Sequence, residues 1–340
     1  MTFQFLLAPL VCFLVATAAQ PIVIRMLCSA AVIDIPGVRS SHTVPTPRGG
    51  GIAVGLGLLV GIVVVNNSTW WPLIVALVLF FTIGLAEDLR GVPITARLSL
   101  QLLTSIVVTY LLMASAPTHL LPKAVAVAIA TVWITGYVNA FNFMDGINGI
   151  SGAHAVLGGL VFAVIGMWRH HPSLTVVGTI VVAAGLAFLP WNAGRARVFL
   201  GDVGSYTLGA ALAVLAVYAV LRSVPVEAAL APLSLYLADT GWTLLQRILR
   251  KEDWLQPHRE HTYQRLCDVG WSHQKVTLLT FGVGLTVSTL GVVGSGASAP
   301  ARVVANVLAV ALLIAYLAAP KWLAGRLTAA RTTRVATRPH

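Results

Sequence analysis

Apolar residues gather in eleven long runs, at about residues 3–24, 50–66, 70–86, 98–115, 121–138, 153–168, 173–190, 204–221, 225–242, 276–295 and 302–319. Polar residues are confined to the gaps between them. Each run is close to the roughly 20 residues that cross a bilayer core. Backbone groups in lipid must be satisfied within their own segment, so every run is expected to be a helix rather than a strand. The predicted fold is all-α, a polytopic membrane protein with about eleven transmembrane helices. Residues 1–320 form one transmembrane domain and 321–340 a basic tail. The first run ends in Ala-Thr-Ala-Ala, but Met1 to Phe5 holds no Lys or Arg, so an uncleaved first helix is expected rather than a signal peptide.

Composition agrees. Of the 340 residues 57% are hydrophobic and 10% charged, with mean hydropathy +0.86, too apolar to coat a water-soluble core. Lys and Arg outnumber Asp and Glu by 22 to 11. The basic residues sit in short gaps rather than on one soluble face, which excludes a nucleic-acid reader. Cys12, Cys28 and Cys267 are scattered, without metal or disulfide spacing.

Alternate gaps differ in charge: eighteen of the 22 basic residues fall on one side and four on the other. The positive-inside rule makes the richer side cytoplasmic, with the N-terminus outside and the C-terminus inside. Trp70, Trp71 and Trp168 would then lie at the outer interface, Trp191 and Trp322 at the inner one. Ten of the eleven acids share the basic side, with Glu227 alone outside. Insertion does not require acids there. They call for a chemical reason.

Five segments supply candidates. In Asn139-Ala-Phe-Asn-Phe-Met-Asp-Gly-Ile-Asn-Gly, Asn139, Asn142 and Asp145 recur every three residues, so one helical face can present two amides and a carboxylate. The ordinary alternative is a capped turn, with Asp145 or Asn148 as the cap. Phe199-Leu-Gly-Asp-Val-Gly-Ser places Asp202 between glycines, a setting that suits a divalent cation or a phosphate. Glu87 and Asp88 are adjacent carboxylates, which repel unless a cation or a proton intervenes. In His258-Arg-Glu-His-Thr-Tyr-Gln-Arg, the two histidines would share a helical face, and Arg259 and Arg265 can hold phosphate. The loop from Arg39 through His42 to Arg48-Gly-Gly-Gly is basic and opens a helix, as a phosphate site would.

These motifs, in this order over residues 34–265, resemble the polyprenyl-phosphate N-acetylhexosamine-1-phosphate transferases, the family of MraY and WecA, with the histidine segment most similar to its WbpL-like, O-antigen-initiating branch. The resemblance implies transfer of a sugar 1-phosphate from a UDP-N-acetylhexosamine, or its 6-deoxy relative, to undecaprenyl phosphate, with release of UMP, in the bacterial inner membrane. It implies Mg2+, with Mn2+ as a substitute, held by Asp202 with Asp88 and Glu87. Asp88 would stand near the lipid phosphate, and Asp145, Asn142, Asn139 and Asn148 would face the nucleotide sugar. Phe199 would stack on uracil, His258, His261 and Arg259 would meet the diphosphate, and Arg48 and Arg97 the acceptor phosphate. A homodimer is left open. Three positions depart from the family pattern: Glu87 and Asn148 each stand where the family carries Asp, and Arg259-Glu260 separates the histidines. The competing reading is a transporter or flippase of lipid-linked sugars. It would require ionisable groups or broken helices at the bilayer midplane, where these runs carry no charge.

Overall fold

A computed structural model describes residues 2–37, 43–115, 122–253, 256 and 258–336. The part of the basic loop from Arg39 to His42 lies outside the described residues, as do Pro257 and the last four residues of the tail. Every predicted run is helical: α1 Thr2–Ser29, α2 Gly51–Val65, α3 Trp71–Arg90, α4 Ile94–Ser115, α5 Lys123–Met144, α6 Ile150–Trp168, α7 Pro172–Asn192, α8 Gly201–Leu221, α9 Val226–Leu230, α10 Ser234–Leu249, α12 His273–Ser295 and α13 Ala299–Ala336. A short helix, α11 (Thr262–Asp268), lies in the last loop. The only sheet among the described residues is one antiparallel pair, β1 (Ile33–Asp34) with β2 (Thr46–Pro47). The protein is an all-α polytopic membrane protein.

Three features depart from the pattern-based expectation. Nine helices among the described residues are long and apolar enough to span a membrane. α2 has only 15 residues, and the ninth run is broken: a 3-10 turn at Ala231–Leu233 separates α9 from α10. Pro232 sits in that turn, where its ring and missing N–H forbid a continuous helix. Secondly, α5 does not stop at residue 138 but runs to Met144. The polar residue that ended the run, Asn139, gives its amide to Gln101 Oε1 (2.7 Å) and to the Thr135 carbonyl (2.8 Å), so it costs the helix little. Thirdly, Trp70 is buried against Tyr218, with ring centroids 4.5 Å apart, and is not part of an interfacial belt; Trp71, Trp168 and Trp322 are exposed.

α8 is the axis of the bundle. Every residue from Gly201 to Ala219 is buried, as expected of a helix apolar on all sides and enclosed by others. Glycines let two neighbours reach its first turn. A Cβ on Gly51 would fall 2.1 Å from the Gly204 Cα, and one on Gly84 would fall 2.5 Å from the Asp202 carbonyl oxygen. The start of α2 and the end of α3 therefore meet the start of α8 almost backbone to backbone. That contact builds the site.

Candidate active site

Two chain segments zip together where α2 and α8 begin. Phe199 N–H donates to the Pro47 carbonyl (2.8 Å), while Gly49 and Gly50 N–H both donate to the Phe199 carbonyl (3.1 and 2.8 Å). Arg48 is thereby fixed beside the Gly-Asp-Val-Gly turn. Its Nε lies 2.9 Å from Asp88 Oδ1 and its Nη2 2.6 Å from Asp202 Oδ2. One planar guanidinium thus bridges two carboxylates from different helices. Asn142, near the end of α5, donates through Nδ2 to Asp202 Oδ1 (2.6 Å) and to Ser205 Oγ (2.9 Å).

Asp88 has a second task. Its Oδ1 accepts the Asp202 N–H and its Oδ2 the Val203 N–H, both at 2.9 Å. It therefore caps α8 from the neighbouring helix, filling orphan amides at the positive end of the helix dipole.

These residues open on a cavity of about 350 Å3, within the size range of small-ligand sites. Asp34, Arg48, Asn142, Asp145, Asn148, Phe199 and Asp202 all line it. Asp145 ends α5, and burial pushes its carboxyl up to about 7, with Asp202 nearby adding repulsion. Asn148 uses its side chain structurally: Nδ2 donates to the Gly194 carbonyl at 2.6 Å. Neither Asp145 nor Asn148 is the cap of α6; that position is Gly149, at φ +86°.

Several expected partners lie elsewhere. Glu87 does not join Asp88: its Oε1 pairs with Arg97 Nη1 (3.1 Å) and its Oε2 accepts the Val92 N–H (2.7 Å). Successive residues on a helix point about 100° apart, so adjacency in sequence separates these two carboxylates. Arg97 is held by the same pair and does not line the cavity. Asn139 is bound to α4 through Gln101 and does not line the cavity.

The histidines precede α11 and share no helical face. His261 is buried, with Nδ1 3.3 Å from Asp239 and its ring stacked on Tyr263. His258 lies 4.9 Å from His261, ring to ring, and 6.4 Å from Phe143. Burial, with His261 and Arg247 beside it, lowers its pKa to about 4, so at neutral pH it is an uncharged imidazole. Neither histidine lines the cavity; Gln264, three residues on, does. Arg259 pairs with Asp268 at 3.0 Å. Glu260 holds the segment to α10 through Arg247 (3.0 Å) and Arg250, and also meets Arg265.

Five contributors escaped the sequence reading. Asp34, Gln264 and His273 line the cavity without any motif to mark them. Asn192, also in the lining, accepts the Gly149 N–H (2.6 Å) and donates to the Val198 carbonyl (3.0 Å), tying the two glycine-rich turns together. Asp239 anchors the histidine segment, accepting the Thr262 N–H (2.8 Å) and the Tyr316 hydroxyl (2.9 Å).

Among the described residues no three His, Cys, Asp or Glu side chains are grouped to hold a metal by themselves. The cavity nonetheless fits a hard cation that completes its shell with substrate oxygens. Asp34, Asp145 and Asp202 present carboxylate oxygens to it beside the guanidinium of Arg48.

Residues 70–220, which carry Asp88, Asp145 and Asp202, match glycosyl transferase family 4. The chain is 26% identical over 303 residues to the probable undecaprenyl-phosphate N-acetylglucosaminyl 1-phosphate transferase of Bacillus subtilis, covering 85% of each protein. It is 27% identical over 301 residues to the decaprenyl-phosphate N-acetylglucosaminephosphotransferase of Mycobacterium tuberculosis, covering 76% of this chain and 74% of that one. The phospho-N-acetylmuramoyl-pentapeptide-transferase of Caldicellulosiruptor bescii is 27% identical over 303 residues, covering 81% and 92%. Residues 70–220 of this chain are thus similar to glycosyl transferase family 4, on the segment that holds Asp88, Asp145 and Asp202. The three relatives align over more of the chain than residues 70–220, covering 85%, 76% and 81% of it. By name all three relatives are transferases, and the first two act with a polyprenyl phosphate and an N-acetylglucosamine phosphate.

Proposed function

We infer that the protein transfers a sugar 1-phosphate from a UDP-N-acetylhexosamine to undecaprenyl phosphate, giving UMP and a lipid-linked diphosphate sugar. The observation that carries the reading is the convergence of Asp202, Asn142, Asp145 and Phe199 on one cavity around Arg48. The donor binds there, with its uracil on Phe199 and its nucleotide portion against Asn142 and Asp145. Asp202 would hold Mg2+, which would supply positive charge against the diphosphate.

A phosphate oxygen of the acceptor attacks the β-phosphorus of the donor in line. The bond from that phosphorus to the bridging oxygen breaks, and UMP leaves with the bridging oxygen and its electron pair. The acceptor phosphate is largely ionised near pH 7, so little deprotonation is needed. Asp88 is poorly suited to be a covalent nucleophile, because both its oxygens already accept hydrogen bonds from α8 and one also meets Arg48. It acts as a positioning residue that holds Asp202 at the cavity wall. Neutral His258 contributes as a hydrogen-bond partner rather than a cation. Arg97, bound to Glu87, steadies the end of α3.

The excess of Lys and Arg at the cavity's end of the bundle supports a cytoplasmic site in the inner membrane of a bacterium. Arg259-Glu260 between the histidines supports a role in starting a surface polysaccharide such as O-antigen. The transporter reading is disfavoured because the acids cluster at one end of the bundle. The test is to supply purified protein with undecaprenyl phosphate, Mg2+ and, in turn, UDP-GlcNAc, UDP-GalNAc and UDP-6-deoxy-N-acetylhexosamines. A lipid-linked diphosphate sugar and equimolar UMP are expected with at least one donor, and loss of both on chelation. No product with any donor rejects the reading.

A further inference from the structure

A second recess, mostly apolar with basic residues in its wall, lies at the same end of the bundle beside α11. α10, α11 and α13 enclose a recess of about 200 Å3 walled by Trp242, Thr262, Arg265, Ile314, Leu317 and Lys321. Its character changes with depth. Ile314 and Leu317 belong to the membrane-spanning part of α13, while Lys321 lies in the last turn of that span. Trp242 is 42% exposed and Trp322, beside Lys321, is 70% exposed, as aromatic side chains are at the boundary between acyl chains and headgroups.

Charge decides the occupant. Glu260 at the rim is already shared by Arg247, Arg250 and Arg265, and Lys321 has no acidic partner among the described residues. The recess is therefore basic where Arg265 and Lys321 meet it and apolar along Ile314 and Leu317. Basic pockets between membrane helices at the headgroup level select anionic lipids. We propose that this recess binds one anionic phospholipid, its phosphodiester between Lys321 and Arg265 and its acyl chains along Ile314 and Leu317. The donor cavity does not share the recess; adjacent residues of α11, Gln264 and Arg265, face the two sites separately.

The full-length protein in detergent can be titrated with phosphatidylglycerol, then with phosphatidylcholine, each brominated on its acyl chains, while tryptophan fluorescence is followed. The signal lost on Trp242→Phe reports the recess among the nine tryptophans. Phosphatidylglycerol is expected to quench that component saturably, and phosphatidylcholine weakly. In Lys321→Gln the phosphatidylglycerol affinity should fall about fivefold, the effect of one cation near a lipid surface. UMP release in phosphatidylcholine should be unchanged in Lys321→Gln, which shows that the variant is folded. Equal quenching by both lipids, or an unaltered affinity in Lys321→Gln, overturns the proposal. Displacement by stoichiometric undecaprenyl phosphate also overturns it, because the recess would then belong to the acceptor.

Discussion

The carboxylate of Asp88 accepts the backbone N–H groups of Asp202 and Val203, each at 2.9 Å, so the acid near the end of α3 fixes the helix start that carries the acid of α8. Arg48 closes the arrangement by touching both side chains. Asp88 and Asp202 thus form one unit in which the first orients the second, and their separation of more than a hundred residues is bridged by close contacts at Gly84 and Gly51.

Asp88→Asn should therefore damage both stability and rate. The amide retains one acceptor but turns a donor toward the Val203 N–H or the Asp202 N–H. Loss of the cap should cost about 0.5–2 kcal/mol. Displacement of Asp202 should lower kcat about 100-fold, with little change in donor KM. Thermal unfolding and steady-state UMP release read the two effects separately.

Arg48→Lys should behave as a loss rather than a conservative change. An ammonium cannot place one nitrogen on each of two carboxylates as Nε and Nη2 do here. The expected fall in kcat/KM is at least about tenfold, equivalent to about 1.4 kcal/mol of lost positioning. Steady-state kinetics on a folded, monodisperse variant checks it.

Asp145 sets a pH dependence. Its carboxyl ordinarily titrates near 3.8 and in this site near 7, because it is buried. Between those values the folded protein keeps a proton that the unfolded chain has released, so this group makes the fold less stable as pH rises from about 4 to about 7. Metal-free protein should accordingly show part of its thermal stability lost across that window, and Asp145→Asn should remove that part. If the donor requires the ionised carboxylate, kcat/KM falls below pH 7, and raising Mg2+ moves that limb to lower pH. Thermal melts in chelator and pH–rate profiles measure both.

Asn148→Asp, which restores the residue the family usually carries, should not raise activity. The Asn148 Nδ2 donates to the Gly194 carbonyl at 2.6 Å, and a carboxylate there would face that oxygen with no donor. A destabilisation of about 1 kcal/mol is expected, the low end of the cost of an unmet polar group, because the site is only partly buried. Denaturation of the variant beside the parent protein tests it.

The membrane architecture was readable because lipid forces every apolar run into a helix, and all eleven runs coincide with helices. Run boundaries were less readable. Asn139 looked like an end but is satisfied inside α5 by Gln101, a contact from another helix. Pro232 marked the break in the ninth run, which hydropathy alone conceals. The motif acids Asp145 and Asp202 could be picked out by their glycines, but Asp34, Gln264 and His273 lie in unremarkable sequence and join the cavity through tertiary folding. Glu87 was misleading in the opposite way, since its neighbour Asp88 faces α8 while it faces Arg97. Asp239 resembled any acid at a helix end until Thr262 and Tyr316 were brought to it.

The most direct test compares two single-carboxylate changes at opposite ends of the bundle. Asp202 sits at the cavity wall, and Glu227 pairs with Arg302 at 2.5 Å far from it in the fold. Each purified variant is given donor, undecaprenyl phosphate and Mg2+, and UMP is measured. The account predicts that Asp202→Asn abolishes UMP release while Glu227→Gln retains it; equal activity in the two variants would contradict it.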